Sequence, residues 1–231
     1  MKPMIQLAAV ATPDGKQLTL SQRDGDFYIC VDRQSLMNSR LHESELELAR
    51  LACAHIAAHR NPTVLIGGLG MGYTLRQTLD MLRPEATVVV AELIPEVVRW
   101  NRELMGGLTG HPLRDPRVVV EVRDVVDIIR NSPGKFDAIM LDIDNGPVAM
   151  TSDGNDRLYG RQGIQACRDA LTARGCLAVW SAAVVTSFES RLQHEGLHSG
   201  SYFAAGYKGG KSRTRCIWVA SRDRQSLPKH E

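Results

Sequence analysis

The chain has 231 residues, 43% hydrophobic and 23% charged, with a formal net charge of +2. That length suits a single enzyme-sized unit with a substantial core, and so small a charge gives no case by itself for nucleic acid or a membrane surface. The five cysteines, Cys30, Cys53, Cys167, Cys176 and Cys216, show no C-x-x-C spacing, which speaks for reduced core thiols and against a disulfide frame or a metal site.

The first elements read as β. Ile5–Val10, Gln17–Leu20 and Phe27–Val31 are separated by turns at Pro13-Asp14-Gly15 and Arg23-Asp24-Gly25-Asp26, and they predict a small β appendage over residues 1–38. The opening apolar stretch is too short and too soon broken for a signal peptide. No segment reaches membrane-spanning length, so a cytoplasmic protein without membrane partners is expected. A helix follows from Glu43 to His59, with Leu46, Leu48, Leu51, Ala52, Ile56 and Ala57 as its apolar positions and Asn61-Pro62 closing it.

Next, the apolar run Val64-Leu65-Ile66 ends in Gly67, Gly68, Gly70 and Gly72, a buried strand turning sharply into a helix. That helix runs from Tyr73 to Leu82 and stops at Pro84. The strand Thr87–Ala91 then delivers Glu92, and Pro95 opens a helix that continues to Leu104. Further on come a strand Arg117–Val122, a helix Val125–Arg130 and a strand Phe136–Leu141. They are followed by a helix Arg161–Ala173 stopped by Gly175, a strand Cys176–Trp180 and a helix Phe188–His194. Tyr202–Ala205 and Cys216–Ala220 close the chain as a hairpin. This alternation predicts an α/β fold: a Rossmann-like, doubly wound, seven-stranded and mostly parallel sheet over residues 39–231, with a C-terminal antiparallel hairpin.

Ligands in such sheets lie beyond the carboxyl ends of the strands. Glu92 follows Gly72 by 92 − 72 = 20 positions, where a βαβ unit places the acid that binds ribose hydroxyls. No register of the glycines supplies G-x-G-x-x-G, but Gly68, Gly70 and Gly72 spell G-x-G-x-G. That spelling resembles the first motif of class I S-adenosylmethionine-dependent transferases, whose ligand has no pyrophosphate to seat on a helix N-terminus. Arg123 and Asp124 follow the next strand, although an acid there also serves as a plain helix cap. Asp142 and Asp144 lie close together after a wholly apolar strand, and negative charge so placed binds an amine or takes its proton.

From about Arg40 to Ala220 the chain resembles the spermidine synthases, or polyamine aminopropyltransferases, and their class I methyltransferase-like relatives. The resemblance is carried by Val64–Gly72, by Val89–Val98 with its Pro95-Glu96-Val97-Val98, by Asp115-Pro116-Arg117-Val118 with Arg123-Asp124, by Phe136–Asp142 and by Leu158–Ile164. It implies a donor held by Gly67, Gly68, Gly70, Gly72, Glu92, Leu93, Arg123, Asp124 and Asp142, with Asp142 and Asp144 as catalytic residues, and a homodimer. The chain also departs from the family. The aspartate usual inside the glycine run is replaced by Gly70, which leaves room for a full methionine carboxylate. Asn145 stands where a second acid follows the catalytic aspartate, the usual tyrosine is missing around Gly163-Ile164, and only Gln34 lies near the place of the amine-contacting glutamine.

The nucleoside pocket is thus kept better than the diamine pocket. The leading expectation is S-adenosylmethionine-dependent methyl transfer to a small-molecule acceptor. The alternative is aminopropyl transfer from decarboxylated S-adenosylmethionine to a diamine, and a non-catalytic nucleoside-binding homologue is a third reading. The basic stretch Tyr207–Arg215 reads as a solvated hairpin loop or as a cationic lid over an anionic acceptor. With only 5% aromatic residues, a base-stacking surface for nucleic acid is not expected. Met150–Asp156, which follows the acidic cluster, is a candidate gate.

Overall fold

The computed structural model describes residues 3–12, 15–143, 146–149, 157–207, 209–210 and 214–229. The chain opens as an antiparallel meander of four strands, β1 (Ile5–Ala11), β2 (Gln17–Arg23), β3 (Asp26–Val31) and β4 (Gln34–Asn38), paired in that order. The sequence pattern predicts three of them. β4 carries no clear alternation, and its first three residues are exposed. It forms because Asp32 and Arg33 take φ of 46° and 68°, reversing the chain in two residues so that it pairs back on β3. Asp32 supports the reversal by accepting the Gln17 N–H at 2.9 Å.

The second sheet has seven strands in the order β10-β11-β9-β8-β5-β6-β7. Its members are β5 (Thr63–Gly67), β6 (Thr87–Ala91), β7 (Val118–Glu121), β8 (Phe136–Leu141), β9 (Leu171–Ser181), β10 (His198–Ala204) and β11 (Arg215–Ser221). The run from β9 to β7 is parallel, and β11 and β10 add antiparallel to its β9 edge. The parallel strands are buried on both faces by helices, which is why β5, β6 and β8 read as unbroken apolar runs. After β7 the chain returns to the other side of β5 as β8. The order therefore reverses between β5 and β8, and a crevice opens at their carboxyl ends.

The α-helices α1 (Glu43–Cys53), α2 (Tyr73–Met81), α3 (Pro95–Glu103), α4 (Val125–Arg130), α5 (Arg161–Ala170) and α6 (Thr186–His194) cover the sheet. Two are shorter than their sequence patterns suggest. α1 ends at Cys53, where the bonds tighten to Ile56 N–H on Cys53 O and His59 N–H on Ile56 O, three-residue turns that break the α-helical ladder. α5 ends at Ala170 and β9 starts at once, so Gly175 is no helix stop but lies inside the strand. A Cβ on Gly175 would stand 2.7 Å from the Phe136 carbonyl oxygen, and the β8–β9 register shifts between Phe136 and Ala138. The glycine serves this close strand approach.

One face of the sheet packs against α1, α2 and α3, and the appendage joins the same cluster through Leu18, Leu20, Phe27 and Ile29. The other face packs against α4, α5 and α6, with Phe188 edge-on to both Tyr159 and Trp218. All five cysteines are free; Cys53, Cys167, Cys176 and Cys216 are buried and Cys30 is half-buried. Among the described residues no helix is long and apolar enough to cross a membrane, and no cluster of three or more His, Cys, Asp or Glu residues could hold a metal.

Candidate active site

The turn after β5 is shaped by what surrounds it. Gly68 takes φ of 90°, and a Cβ there would meet the Asp142 carbonyl oxygen at 2.5 Å, so a side chain is excluded both by dihedral and by space. The Gly68 N–H donates to Ala91 O at 2.9 Å, and the Asp142 N–H donates to Gly67 O at 3.0 Å, which stitches together the ends of β5, β6 and β8. Gly67 is packed against Val125, Ile143 and Leu141, and Gly72, at φ of 85°, starts α2. From α3 the buried Asn101 holds the loop, its side-chain amide donating to Gly70 O at 2.9 Å and to Val97 O at 3.0 Å.

Glu92 leaves β6 and turns back toward this loop. Its Oε2 accepts the Leu69 N–H at 2.9 Å and its Oε1 accepts the Ile94 N–H at 3.0 Å. The two backbone bonds fix the orientation of the carboxylate. Glu92 is 9% exposed, whereas the adjoining Leu93 is 55% exposed at the rim.

A cavity of about 390 Å³ is lined by Glu92 and Leu93, by Gly68 and Gly70, and by Asp142, Glu45, Trp180 and Arg215. Leu18, Ile29 and Met37 of the appendage contribute to its wall. Two carboxylates share it with Glu92. Asp142 follows β8, and its Oδ2 accepts from the Thr74 hydroxyl at 3.0 Å. Glu45 comes from the first turn of α1, and its Oε2 accepts from the Ser44 hydroxyl at 2.7 Å. Burial pushes the Asp142 carboxyl above its usual range, against the opposing Thr74 bond. Burial and then the nearness of Asp142 push the Glu45 carboxyl up. Two crowded carboxyls with raised proton affinity are poised to meet an ammonium group or to accept its proton. The Arg215 guanidinium carbon lies 5.8 Å from the centre of the Trp180 ring.

Of the residues predicted from the sequence, Gly68, Gly70, Glu92, Leu93 and Asp142 line this cavity, while Gly67 and Gly72 shape its turn from behind. Arg123 and Asp124 are not among the lining residues. Arg123 is exposed. Asp124 caps α4 by accepting the Val126 N–H at 2.9 Å and pairs with Arg157 at 3.3 Å. Asp144 and the candidate gate lie outside the described residues, as do Lys208, Lys211 and Arg213 of the basic stretch. Sequence reasoning missed Glu45, Met37 and Trp180, whereas Arg215 is the last residue of the basic stretch and lines the cavity. For Glu45 a signal exists: it shares a helix face with Ala49 and Ala52, both fully buried, at spacings of four and seven. The apolar stripe is turned from the expected one, and Leu46 is only half-buried.

Comparison with known proteins gives a consistent result. Residues 49–196 match the family described as the spermine/spermidine synthase domain. A polyamine aminopropyltransferase of Thermococcus onnurineus is 38% identical over 96 residues, a match spanning 40% of this chain and 33% of that relative. Among solved structures, spermidine synthase from Thermotoga maritima superposes with a TM-score of 0.71 at 19% identity, covering 97% of this chain and 76% of the other. A spermidine synthase in complex with the transition-state analogue AdoDATO gives 0.72 at 20% identity, covering 97% and 77%. A probable spermidine synthase from Corynebacterium glutamicum gives 0.65 at 16% identity, covering 95% and 80%. At these identities the superpositions speak for the fold.

Proposed function

The chain belongs to the spermine/spermidine synthase domain family, and from that premise we propose that it transfers an aminopropyl group from decarboxylated S-adenosylmethionine to a primary amine. One observation carries the reading: Glu45 and Asp142 face the same cavity as the ribose-type acid Glu92 and the glycine turn. The bound donor supplies a sulfonium-activated carbon, so the protein's task is alignment and proton transfer. Glu92 holds the ribose hydroxyls, and Leu93, Ile94 and Val97 give the nucleoside an apolar bed.

The acceptor enters as an ammonium ion, which the two carboxylates attract. One proton passes to a carboxylate, with Asp142 the better placed because Thr74 fixes its other oxygen. The freed nitrogen lone pair forms the new N–C bond. The C–S bond breaks, its electron pair stays on sulfur, and the products are a neutral thioether and a secondary ammonium ion.

Methyl transfer from S-adenosylmethionine is a second reading, favoured by Gly70, which places no negative charge where the donor's carboxylate would lie. Met37 bears on that space, since a Cβ on Gly70 would meet its methyl carbon at 3.0 Å. The two reactions leave different thioethers. Purified protein is incubated with each donor and a set of small amines, and the products are identified by mass spectrometry. 5′-Methylthioadenosine formed from the decarboxylated donor supports aminopropyl transfer. S-Adenosylhomocysteine formed from the full donor would replace it with methyl transfer. Binding of both donors without either product would leave a nucleoside-binding protein.

A further inference from the structure

The acceptor end of the cavity contains a cation that a plain diamine does not need. Arg215 opens β11, antiparallel to β9. Ile217 lies opposite Trp180 in that pairing. Arg215, two positions before Ile217, therefore projects on the same face as Ile217 and Trp180. This is the face that carries α1 and the appendage, because Ile217 and Val219 belong to that cluster. The start of β11 adjoins the carboxyl end of β9, so strand geometry alone delivers a guanidinium to the ligand end of the sheet.

Arg215 is half-buried and lines the cavity together with Glu45 and Asp142. A guanidinium placed there to neutralise the two carboxylates would pair with one of them. Among the described residues no carboxylate forms an ion pair with it, and its contact is instead with the face of Trp180. Its charge does reach Glu45, where it opposes the upward pull of burial. The indole platform holds the planar fork in place while leaving its N–H donors free for a ligand. Two carboxylates and a positive fork line one cavity, which makes the site dipolar. A diamine would bring a second ammonium group into a cavity that already holds this guanidinium.

We infer that the preferred acceptor is a small amino acid, an amine bearing a carboxylate, and that Arg215 selects it by a two-pronged bond to that carboxylate while Glu45 and Asp142 receive the amine. The inference rests on the transfer reading above and names its acceptor class. The carboxylate takes no part in the bond changes. It fixes the far end of the molecule so that the nitrogen lies on the line of the breaking C–S bond.

A matched pair of probes isolates the effect: 1,4-diaminobutane and 2,5-diaminopentanoic acid, which differ by one carboxylate. With decarboxylated S-adenosylmethionine as donor, kcat/KM is expected to be at least tenfold higher for the carboxylated amine. In Arg215→Gln the ratio of the two kcat/KM values should fall at least tenfold, with Arg215→Lys between, because it keeps the charge and loses the fork. Preference for the diamine by the natural chain, or an unchanged ratio in both folded variants, overturns the inference and leaves aminopropyl transfer standing. If neither probe turns over, the transfer reading fails, and calorimetry with 5′-methylthioadenosine present decides the acceptor question alone. Binding of the carboxylated probe that weakens at least tenfold in Arg215→Gln supports it; equal or absent binding in both proteins overturns it.

Discussion

Asp142 and Glu92 are both acids at strand ends, yet their surroundings differ, and under the proposed function so does their work. Glu92 accepts from two backbone N–H groups, which fix its orientation. Asp142 is held through one oxygen by Thr74, and its proton affinity is raised by burial. Asp142→Asn is expected to slow turnover about a hundredfold or more while leaving donor affinity nearly intact. Glu92→Gln is expected to weaken donor binding first, because a neutral amide is the poorer acceptor. Calorimetry beside steady-state rates checks both, and equal loss of donor affinity in the two variants would reassign Asp142 to the donor half. Glu45 adds a pH signature. Its carboxyl has a higher proton affinity folded than unfolded, so the folded state holds the extra proton through the intervening window. That contribution to stability is fully present below the ordinary carboxylate range and is lost as pH rises through the raised folded value. Melting curves of the ligand-free protein should show Glu45→Gln gaining on the natural chain as pH increases across that window; a constant difference would refute the assignment.

At the scale of elements, the glycine turn is the part most tightly constrained. Gly68→Ala combines φ of 90° with a contact of 2.5 Å to the Asp142 carbonyl. It should cost about 1–3 kcal/mol or more in a denaturant titration and abolish donor binding, since the strain falls on backbone. This turn was legible in the sequence because its signal is local: an apolar run, glycines and an acid 20 positions after Gly72. Glu45 was not, because it stands 142 − 45 = 97 positions before Asp142 and meets the cavity through the packing of α1 on the sheet. Asp124 admits both of the readings that its position offers. Its position past β7 fits a ligand-binding acid, and the local bond to Val126 uses it as a helix cap. Gly175 reads locally as a helix stop, and only the approach of β8 to β9 reveals its purpose.

At the scale of the whole molecule, the appendage and the seven-stranded sheet share one apolar cluster, with Leu20 fully buried in it. Leu20→Ala should therefore destabilise the whole chain by about 2–5 kcal/mol in one unfolding transition followed by circular dichroism. A separate early transition would show that the appendage melts on its own. The thiols carry a different consequence. A protein that houses a sulfonium donor keeps an alkylating agent in its own interior, and thiolate sulfur is the side-chain group most readily alkylated. None of the five cysteines lines the cavity. Burial pushes the thiols of Cys53, Cys167 and Cys216 up to about 12 and raises those of Cys30 and Cys176 as well. Under the proposed function the chain is in this sense passivated against its own reagent. Iodoacetamide at neutral pH should leave its activity unchanged, and prolonged incubation with donor alone should leave its intact mass unaltered.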